Sequence, residues 1–208
     1  MIILDGFEQG TPAWFAARLG KPSASCFSKL ITTSGKPSTQ ASKYILQLTA
    51  ELVTGHSEPF YQNDHMIRGN ELEPDAREDY EWITGNEVIE VGFIVDSKFE
   101  YGCSPDGLVG SRGGLGSDIQ GGLEIKCPAD QTMIKYRLDK HELVKAYWQQ
   151  IQGCMYLTGA TWWDAFAYHP EMPHVLIRVG RDDEFIKKLA VEIDRAVNAI
   201  KTNMEKLK

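Results

Sequence analysis

The segment LEIKCP places Glu124 two residues before Lys126 within a short, otherwise apolar stretch of the chain. The apolar residues predict a β-strand. Because side chains alternate between the faces of a strand, the carboxylate and the ammonium share one face, about 6.6 Å apart. A solvent-exposed strand could carry the same pair without any chemical role. A function therefore requires a partner from elsewhere in the chain.

Asp106 is the partner that the sequence offers, in a Ser-Pro-Asp-Gly turn that follows a candidate strand. If the segments around Asp106 and Glu124 form a hairpin, the two carboxylates and Lys126 lie side by side. Neighbouring carboxylates repel each other, and a divalent cation removes that repulsion. Oxygen ligands suit Mg²⁺ or Mn²⁺, and a lysine beside the ion can orient water and stabilise charge on a phosphate. The cluster therefore indicates metal-assisted phosphodiester hydrolysis.

The same residues also have a structural explanation. Aspartate is favoured in Pro-Asp-Gly turns because of its local hydrogen bonding, and a Glu-x-Lys pair occurs on many strands whose polar face is wet. The local pattern alone leaves both explanations open.

The composition is that of an ordinary soluble globular protein, with 208 residues, 42% hydrophobic and 25% charged, and we expect one domain over residues 1–208. No apolar run approaches the roughly 20 residues of a membrane span, and the stretch MIILDGFEQG does not resemble a secretory signal. The four cysteines have neither zinc nor C-x-x-C spacing, which favours reduced thiols in a cytoplasm. The net charge of −7 argues against a broad basic surface but permits a local basic channel.

Helical periodicity and capping residues predict seven helices and six strands. The predicted helices cover 12–19, 23–31, 40–54, 71 or 74 to 84, 130–138, 141–157 and a C-terminal segment that begins after Asp182. The predicted strands cover 89–95, 99–103, 108–109, 123–127, 162–168 and 175–179, and the glycine-rich stretch 111–122 is expected to be a hairpin loop. This order of elements is typical of one α/β domain with a mixed sheet.

Five segments occur in the same order as in a known family of nucleases. They are WFAARLGKPSAS (14–25), GNELEPDAR (69–77), CSPDGL (103–108), GGLEIKCP (121–128) and AYWQQIQ (146–152). On these segments the sequence resembles the YqaJ-like viral recombinases and phage lambda exonuclease, within the PD-(D/E)xK nuclease superfamily. The resemblance covers most of the chain from Trp14 to about His169. It implies a restriction-endonuclease-like core, with a central mixed β-sheet flanked by helices.

The resemblance implies a site that holds Mg²⁺, with Mn²⁺ as a substitute, as two ions. Asp106 and Glu124 would be metal ligands together with the backbone carbonyl of Ile125, and Lys126 would be the catalytic lysine. Glu73 matches an acidic residue near the second ion. Glu73 could instead form a helix-surface pair with the arginine four residues later.

Gln150 matches a glutamine near the metal site of the superfamily. The alternative is that Gln150 lies on a solvated helix face and that Gln149 or Gln152 takes its place.

The resemblance also implies a pocket for a 5′-terminal phosphate, formed by Arg18, Ser25 and Ser104. Arginine makes bidentate hydrogen bonds to phosphate, and hydroxyls complete such a cradle. Taken singly, each residue could equally be a salt-bridged arginine or a capping serine. Met66 lies where the family places an apolar wedge that separates the strands at the duplex end, and core packing is its alternative explanation.

The function that the resemblance implies is a processive 5′→3′ exonuclease on double-stranded DNA ends, leaving a 3′ overhang for recombination by single-strand annealing. It further implies a homotrimeric ring, a single-strand annealing protein as partner, no membrane association, and a phage or prophage protein in a bacterial cytoplasm. Two other functions remain open: an endonuclease built on the same core, and a non-catalytic module that binds DNA ends.

Overall fold

The structure, a computed structural model, describes residues 1–4, 8–57, 64–110 and 119–208, with residues 64–66 described by their backbone only. The helices are α1 (Pro12–Arg18), α2 (Ala41–Thr54), α3 (Asp64–Thr84), α4 (Asp130–Leu138), α5 (His141–Thr158) and α6 (Asp183–Lys206), and a 3-10 helix covers Ala24–Lys29. The strands are β1 (Ile2–Leu4), β2 (Val88–Ile89), β3 (Phe93–Val95), β4 (Gly102–Cys103), β5 (Gly107–Gly110), β6 (Ile119–Lys126), β7 (Trp162–His169) and β8 (Met172–Gly180).

The strands form one mixed sheet and one small antiparallel sheet. The larger sheet has five strands in the order β2-β5-β6-β7-β8, in which β6 and β7 are parallel and the other neighbours are antiparallel. The parallel pair needs a crossover connection, which α4 and α5 supply. The smaller sheet has the order β1-β3-β4. The mixed α/β fold that the sequence predicts is confirmed.

Apolar side chains pack on both faces of the five-stranded sheet. A large cluster that includes Trp163, Phe27 and Leu189 joins the sheet to the 3-10 helix, α5 and α6. A smaller cluster around Tyr80 and Phe166 joins the sheet to α3. The central strand β6 is therefore covered on both sides, which makes its polar residues candidates for a buried site.

The ends of several helices follow the capping residues in the sequence. The Thr11 hydroxyl accepts a hydrogen bond from the backbone N–H of Trp14, with Pro12 in the first turn of α1. The Asp182 carboxylate accepts from two backbone N–H groups at the start of α6. Helices α2 and α5 end at Gly55 and Gly159, both with φ near the left-handed region that glycine tolerates.

Helix α3 begins earlier than the sequence predicts. We expected its start at residue 71 or 74 because proline favours the first helical turn, yet the helix runs from Asp64 and Pro74 lies inside it. The Arg68 guanidinium donates to the carbonyls of Cys127 and Pro128, at 3.2 and 2.6 Å. This contact ties the turns before Pro74 to the end of β6, so tertiary packing supports a helix that the local pattern would end.

The strand boundaries also differ from those predicted. The strand predicted at 89–95 is divided into β2 and β3, which belong to different sheets, and β1 was not predicted. Within the strand predicted at 99–103 only β4 forms, and Phe99 lies in the preceding turn with φ 60°. The predicted loop 111–122 overlaps β6, which begins at Ile119; residues 111–118 lie outside the described residues.

Two glycines inside β6 are required by the tryptophans of the neighbouring strand. A Cβ atom on Gly121 would lie 2.4 Å from the Trp162 ring, and one on Gly122 would lie 2.3 Å from the Trp163 ring. Both distances are far shorter than van der Waals contact. The two glycines, which in the sequence suggested a loop, are therefore required by side-chain packing within the sheet.

Candidate active site

The β5–β6 hairpin brings Asp106 beside the Glu-x-Lys strand. Gly107 is paired with Leu123 in an antiparallel ladder. Asp106, which precedes Gly107, therefore lies beside Glu124, which follows Leu123. The backbone N–H of Ile125 donates to Asp106 Oδ2 at 2.6 Å. The hairpin that we expected from the sequence therefore forms, and it holds the Asp106 carboxylate against the backbone of β6.

The Lys126 ammonium lies where three oxygen-bearing groups converge. It donates to Glu124 Oε1 and, at 2.8 Å, to the carbonyl of Ile125, and it lies 3.8 Å from Asp106 Oδ2. The Tyr147 ring lies beneath it, with its centroid 4.9 Å from Nζ. Burial opposes the charge on Lys126, but the two carboxylates outweigh burial and raise the pKa of the ammonium above its ordinary value. The site is therefore built to hold a cation.

Glu124 is the most buried member of this cluster, with 1% of its surface exposed. Burial raises the pKa of its carboxyl to about 8 against the opposing effect of Lys126, and the charge of Asp106 adds to the rise. Oε1 accepts hydrogen bonds from Lys126 and Gln150, whereas Oε2 is buried without a hydrogen-bond partner among the described residues. A buried unpaired carboxylate oxygen costs about 1–3 kcal/mol or more, and a bound cation would remove that cost.

The donor set fits a hard divalent cation that keeps several waters. Within the described residues, no three histidine, cysteine, aspartate or glutamate side chains converge to form a complete metal site. The oxygens that do converge are those of Asp106, Glu124 and the Ile125 carbonyl. Mg²⁺ is commonly bound by one or two carboxylates plus water and substrate phosphate, so this set suits Mg²⁺ better than a metal that requires nitrogen or sulfur ligands.

Glu73 on α3 forms the helix-surface pair that the sequence allowed, and its role near a second ion stays a prediction. Its Oε1 accepts from Arg77 at 2.6 Å, as the i,i+4 spacing predicts. Arg77 also donates to the backbone carbonyl of Asp106, at 3.3 and 3.4 Å. Burial raises the pKa of Glu73 to about 6, with a further contribution from the Asp106 charge and an opposing one from Arg77. Glu73 therefore stands at the edge of the carboxylate cluster while paired with an arginine.

The three glutamines of α5 have separate partners. Gln149 and Gln152 are buried and donate to backbone carbonyls elsewhere in the core. Gln150 Nε2 lies 2.6 Å from Glu124 Oε1. The structure therefore places Gln150, and neither alternative, at the cluster.

A second polar cluster surrounds Arg18 at the end of α1. One terminal nitrogen of its guanidinium donates to Ser104 Oγ at 3.1 Å, and the other donates to Ser23 Oγ at 3.2 Å and Ser25 Oγ at 3.4 Å. Gly20, with φ 66°, reverses the chain between the arginine and the two nearby serines. Arg18, Ser25 and Ser104 thus meet, as the resemblance implies. Ser23 was not predicted to belong to this pocket, although its place two residues before Ser25 could have indicated it.

Arg18 carries a charge that no carboxylate in the described part of the chain neutralises by direct contact. The side chain is half-buried, and burial lowers the pKa of its guanidinium below the ordinary value. A half-buried cation bonded only to hydroxyls is suited to an anion, because an anion supplies the missing charge. The guanidinium carbon lies 4.2 Å from the centroid of the Trp14 ring, a neighbour that sequence reasoning also missed.

One short turn joins the two clusters. Ser104 in the arginine cluster and Asp106 in the carboxylate cluster are separated by a single residue, Pro105. The Gln9 side chain donates to the carbonyl of Pro105 at 2.9 Å and to that of Val91 at 3.2 Å, which holds this turn to the N-terminal part of the chain. An anion bound at Arg18 therefore lies close to a cation bound at Asp106.

Met66 lies in the first turn of α3. Its side chain lies outside the described residues, so the strand-separating wedge stays a prediction. In the part of the chain that the structure describes, no helix is long and apolar enough to cross a membrane.

Known proteins resemble the chain in sequence and in structure. Residues 13–161 match the YqaJ-like viral recombinase domain. The alkaline exonuclease LHK-Exo from Laribacter hongkongensis is 34% identical, with 95% of this chain and 96% of that chain covered and a TM-score of 0.81. A structure of LHK-Exo in complex with dAMP matches with the same identity, coverage and TM-score. No curated protein gave a significant match.

A more distant structure supports the fold alone. A phage-related exonuclease from Haemophilus somnus 129PT has 17% sequence identity and a TM-score of 0.73, over 90% of this chain and 96% of that chain. The domain match covers well over half of the chain and contains all the residues of both clusters. The chain therefore belongs to the YqaJ-like viral recombinase domain family.

Proposed function

We propose that the protein is a Mg²⁺-dependent exonuclease that degrades one strand of double-stranded DNA from its 5′ end and leaves a 3′ overhang for recombination by single-strand annealing. The observation that carries this proposal is the joining of two clusters by one turn. The carboxylate and lysine cluster suits hydrolysis of a phosphodiester, and the Arg18 cluster suits recognition of a phosphate next to it. The similarity to an alkaline exonuclease supports the same reaction.

Asp106, Glu124 and the Ile125 carbonyl would hold the divalent ion, with Glu73 near a second one. A bound ion would lower the pKa of an attacking water and polarise the phosphate. Lys126 would move from the carboxylates toward the phosphate and stabilise the negative charge that develops there. Gln150 donates to Glu124 Oε1 and thereby keeps this carboxylate in one orientation.

The Arg18 cluster would give the enzyme its direction. A terminal phosphate carries a charge of about −1.5 to −2 at pH 7, whereas an internal phosphodiester carries one negative charge and has fewer free oxygens. The guanidinium and the hydroxyls of Ser25 and Ser104 can use this difference through charge-assisted hydrogen bonds. With the 5′ phosphate bound at Arg18, the next phosphodiester would lie at the carboxylate cluster, and digestion would run 5′→3′.

We further propose that the enzyme acts processively as a homotrimeric ring around the duplex, in a bacterial cytoplasm and together with a single-strand annealing protein. A ring keeps the DNA enclosed between successive cuts. The net charge of −7 is compatible with an acidic exterior around a basic channel, in which Met66 would separate the strands at the duplex end.

One digestion experiment tests the metal, the end requirement and the direction. A linear duplex with 5′-phosphate ends, the same duplex with 5′-hydroxyl ends and a closed circle are incubated with and without Mg²⁺, with each strand labelled separately. We expect digestion only when Mg²⁺ is present, fastest on 5′-phosphate ends, with each strand shortened from its 5′ end and left as a 3′ overhang. Cutting of the closed circle would instead establish an endonuclease, and metal-independent end binding without digestion would establish a binding module.

A further inference from the structure

The indole N–H of Trp14 is shared between two acceptors. Nε1 lies 3.0 Å from the carbonyl of Gly92 and 2.9 Å from Ser104 Oγ. The indole is half-buried on α1 and packs edge-on against Phe15. The position of this N–H is therefore held by the helix and by a backbone carbonyl, neither of which depends on a ligand.

The Ser104 hydroxyl receives two hydrogen bonds inside the protein. The Trp14 indole donates to Oγ at 2.9 Å, and the Arg18 guanidinium donates to it at 3.1 Å. A hydroxyl has two lone pairs and one hydrogen. Both lone pairs of Ser104 Oγ accept hydrogen bonds from N–H groups, and these groups cannot accept a hydrogen bond in return. Ser104 can therefore make a further hydrogen bond only as a donor. Its hydroxyl is thereby prepared for a ligand rich in acceptor oxygens.

The same indole covers one face of the Arg18 guanidinium. The guanidinium carbon lies 4.2 Å from the Trp14 ring and 5.6 Å from the Phe93 ring. Aromatic faces attract a cation without neutralising its charge. The contact with the ring uses none of the guanidinium N–H groups, which donate to the serine hydroxyls, so the positive charge remains available to an anion.

We propose that Trp14 is a positioning residue for phosphate recognition: its N–H fixes Ser104 as a donor, and its ring supports the Arg18 guanidinium. This inference rests on the proposed function and names the feature of the DNA end that is selected, the acceptor oxygens of a terminal phosphate. A 5′-hydroxyl end offers no such oxygens, so the contribution of Trp14 is specific to phosphorylated ends.

The test separates the N–H of Trp14 from its ring. Trp14→Phe keeps an aromatic ring beneath Arg18 and removes the N–H. We measure kcat/KM on duplexes with 5′-phosphate and 5′-hydroxyl ends for the wild type, Trp14→Phe, Ser104→Ala and the double variant. We expect Trp14→Phe to lower the phosphate-to-hydroxyl ratio by about three- to tenfold, the effect of one hydrogen bond. Because the N–H acts through Ser104, the double variant should show the same ratio as Ser104→Ala alone.

Trp82→Phe is the matched control, since Trp82 is 84% exposed on α3 and its replacement should leave the ratio unchanged. If Trp14→Phe fails to fold, benzothienylalanine at position 14 keeps the bicyclic ring and lacks the N–H. An unchanged ratio in either Trp14 variant, or effects of Trp14→Phe and Ser104→Ala that multiply in the double variant, would overturn the inference alone. A wild type that treats both ends equally would overturn the inference together with the proposed recognition of the 5′ phosphate.

Discussion

Replacing Lys126 with methionine should have opposite effects on metal binding and on turnover. In the structure the ammonium donates to Glu124 and to the carbonyl of Ile125, and it lies 3.8 Å from Asp106 Oδ2. These are the oxygens that would bind the divalent ion. In the proposed mechanism Lys126 is therefore a competing cation as well as a catalytic group, and Lys126→Met removes both functions while leaving an uncharged side chain of similar length.

The size of the effect on affinity follows from Coulomb's law. Two unit charges about 4 Å apart interact by about 4 kcal/mol at an effective dielectric constant of about 20, so an ammonium and a divalent ion at that distance repel each other by about 8 kcal/mol. The lysine can move away from the ion, so only part of this repulsion acts in the metal-bound state. If about one sixth remains, about 1.4 kcal/mol, the variant binds the ion about tenfold more tightly. Turnover should fall by roughly 10²-fold or more, because the positive charge that would stabilise the developing charge on the phosphate is lost.

Calorimetric titration with Mn²⁺ measures the affinity, and single-turnover digestion of a 5′-phosphorylated duplex measures the chemistry. Thermal unfolding without metal should show a less stable variant, since two carboxylates lose their cationic partner, and Mn²⁺ should raise its midpoint more than that of the wild type. Lys145→Met is the matched control, because Lys145 is exposed on α5. Weaker Mn²⁺ binding by Lys126→Met would show that Lys126 does not compete with the metal ion. Digestion at nearly the wild-type rate would show that Lys126 takes no part in the hydrolysis.

Three further predictions concern other parts of the molecule. Arg18→Ala should reduce the preference for 5′-phosphate over 5′-hydroxyl ends by about 10- to 100-fold, as the loss of charge-assisted hydrogen bonds does, and salt should weaken the wild-type preference; an equal preference in both proteins, from paired digestion rates, would show that the pocket lies elsewhere. Gly122→Ala should lower the free energy of unfolding by about 1–3 kcal/mol or more, because the new methyl group meets the Trp163 ring at 2.3 Å; chemical denaturation measures this, and unchanged stability would contradict it. Light scattering should give about three times the 23.4 kDa of one chain, and a monomer mass at micromolar concentrations would exclude the ring.

The parts of the fold and site that were predicted correctly depend on short-range relations in the sequence. Asp106 and Glu124 are brought together by one hairpin, and the register of a hairpin follows from its own strands. Helix ends with a capping aspartate or a terminal glycine, such as Asp182 and Gly55, could be located for the same reason. The family resemblance added the Arg18 cluster, whose members are distant in sequence.

The features that were missed depend on tertiary packing. Nothing near Trp14 in the sequence indicates that its N–H reaches Ser104, 90 positions away. The division of residues 89–95 between two sheets likewise requires partners from β1 and β5. Gly121 and Gly122 were interpreted as a loop because their packing against two tryptophans is invisible in the local composition.

The turn of Ser104, Pro105 and Asp106 also sets the distance between the Arg18 cluster and the carboxylate cluster. Two residues of extended chain span at most about 7 Å, and both ends of this turn are fixed, one by Arg18 and the other by the backbone of Ile125. This distance is on the scale of one nucleotide. If the proposed function is correct, a strand whose terminal phosphate is bound at Arg18 would be cut at the first phosphodiester that follows, and the enzyme should release its product as mononucleotides, whatever the base sequence.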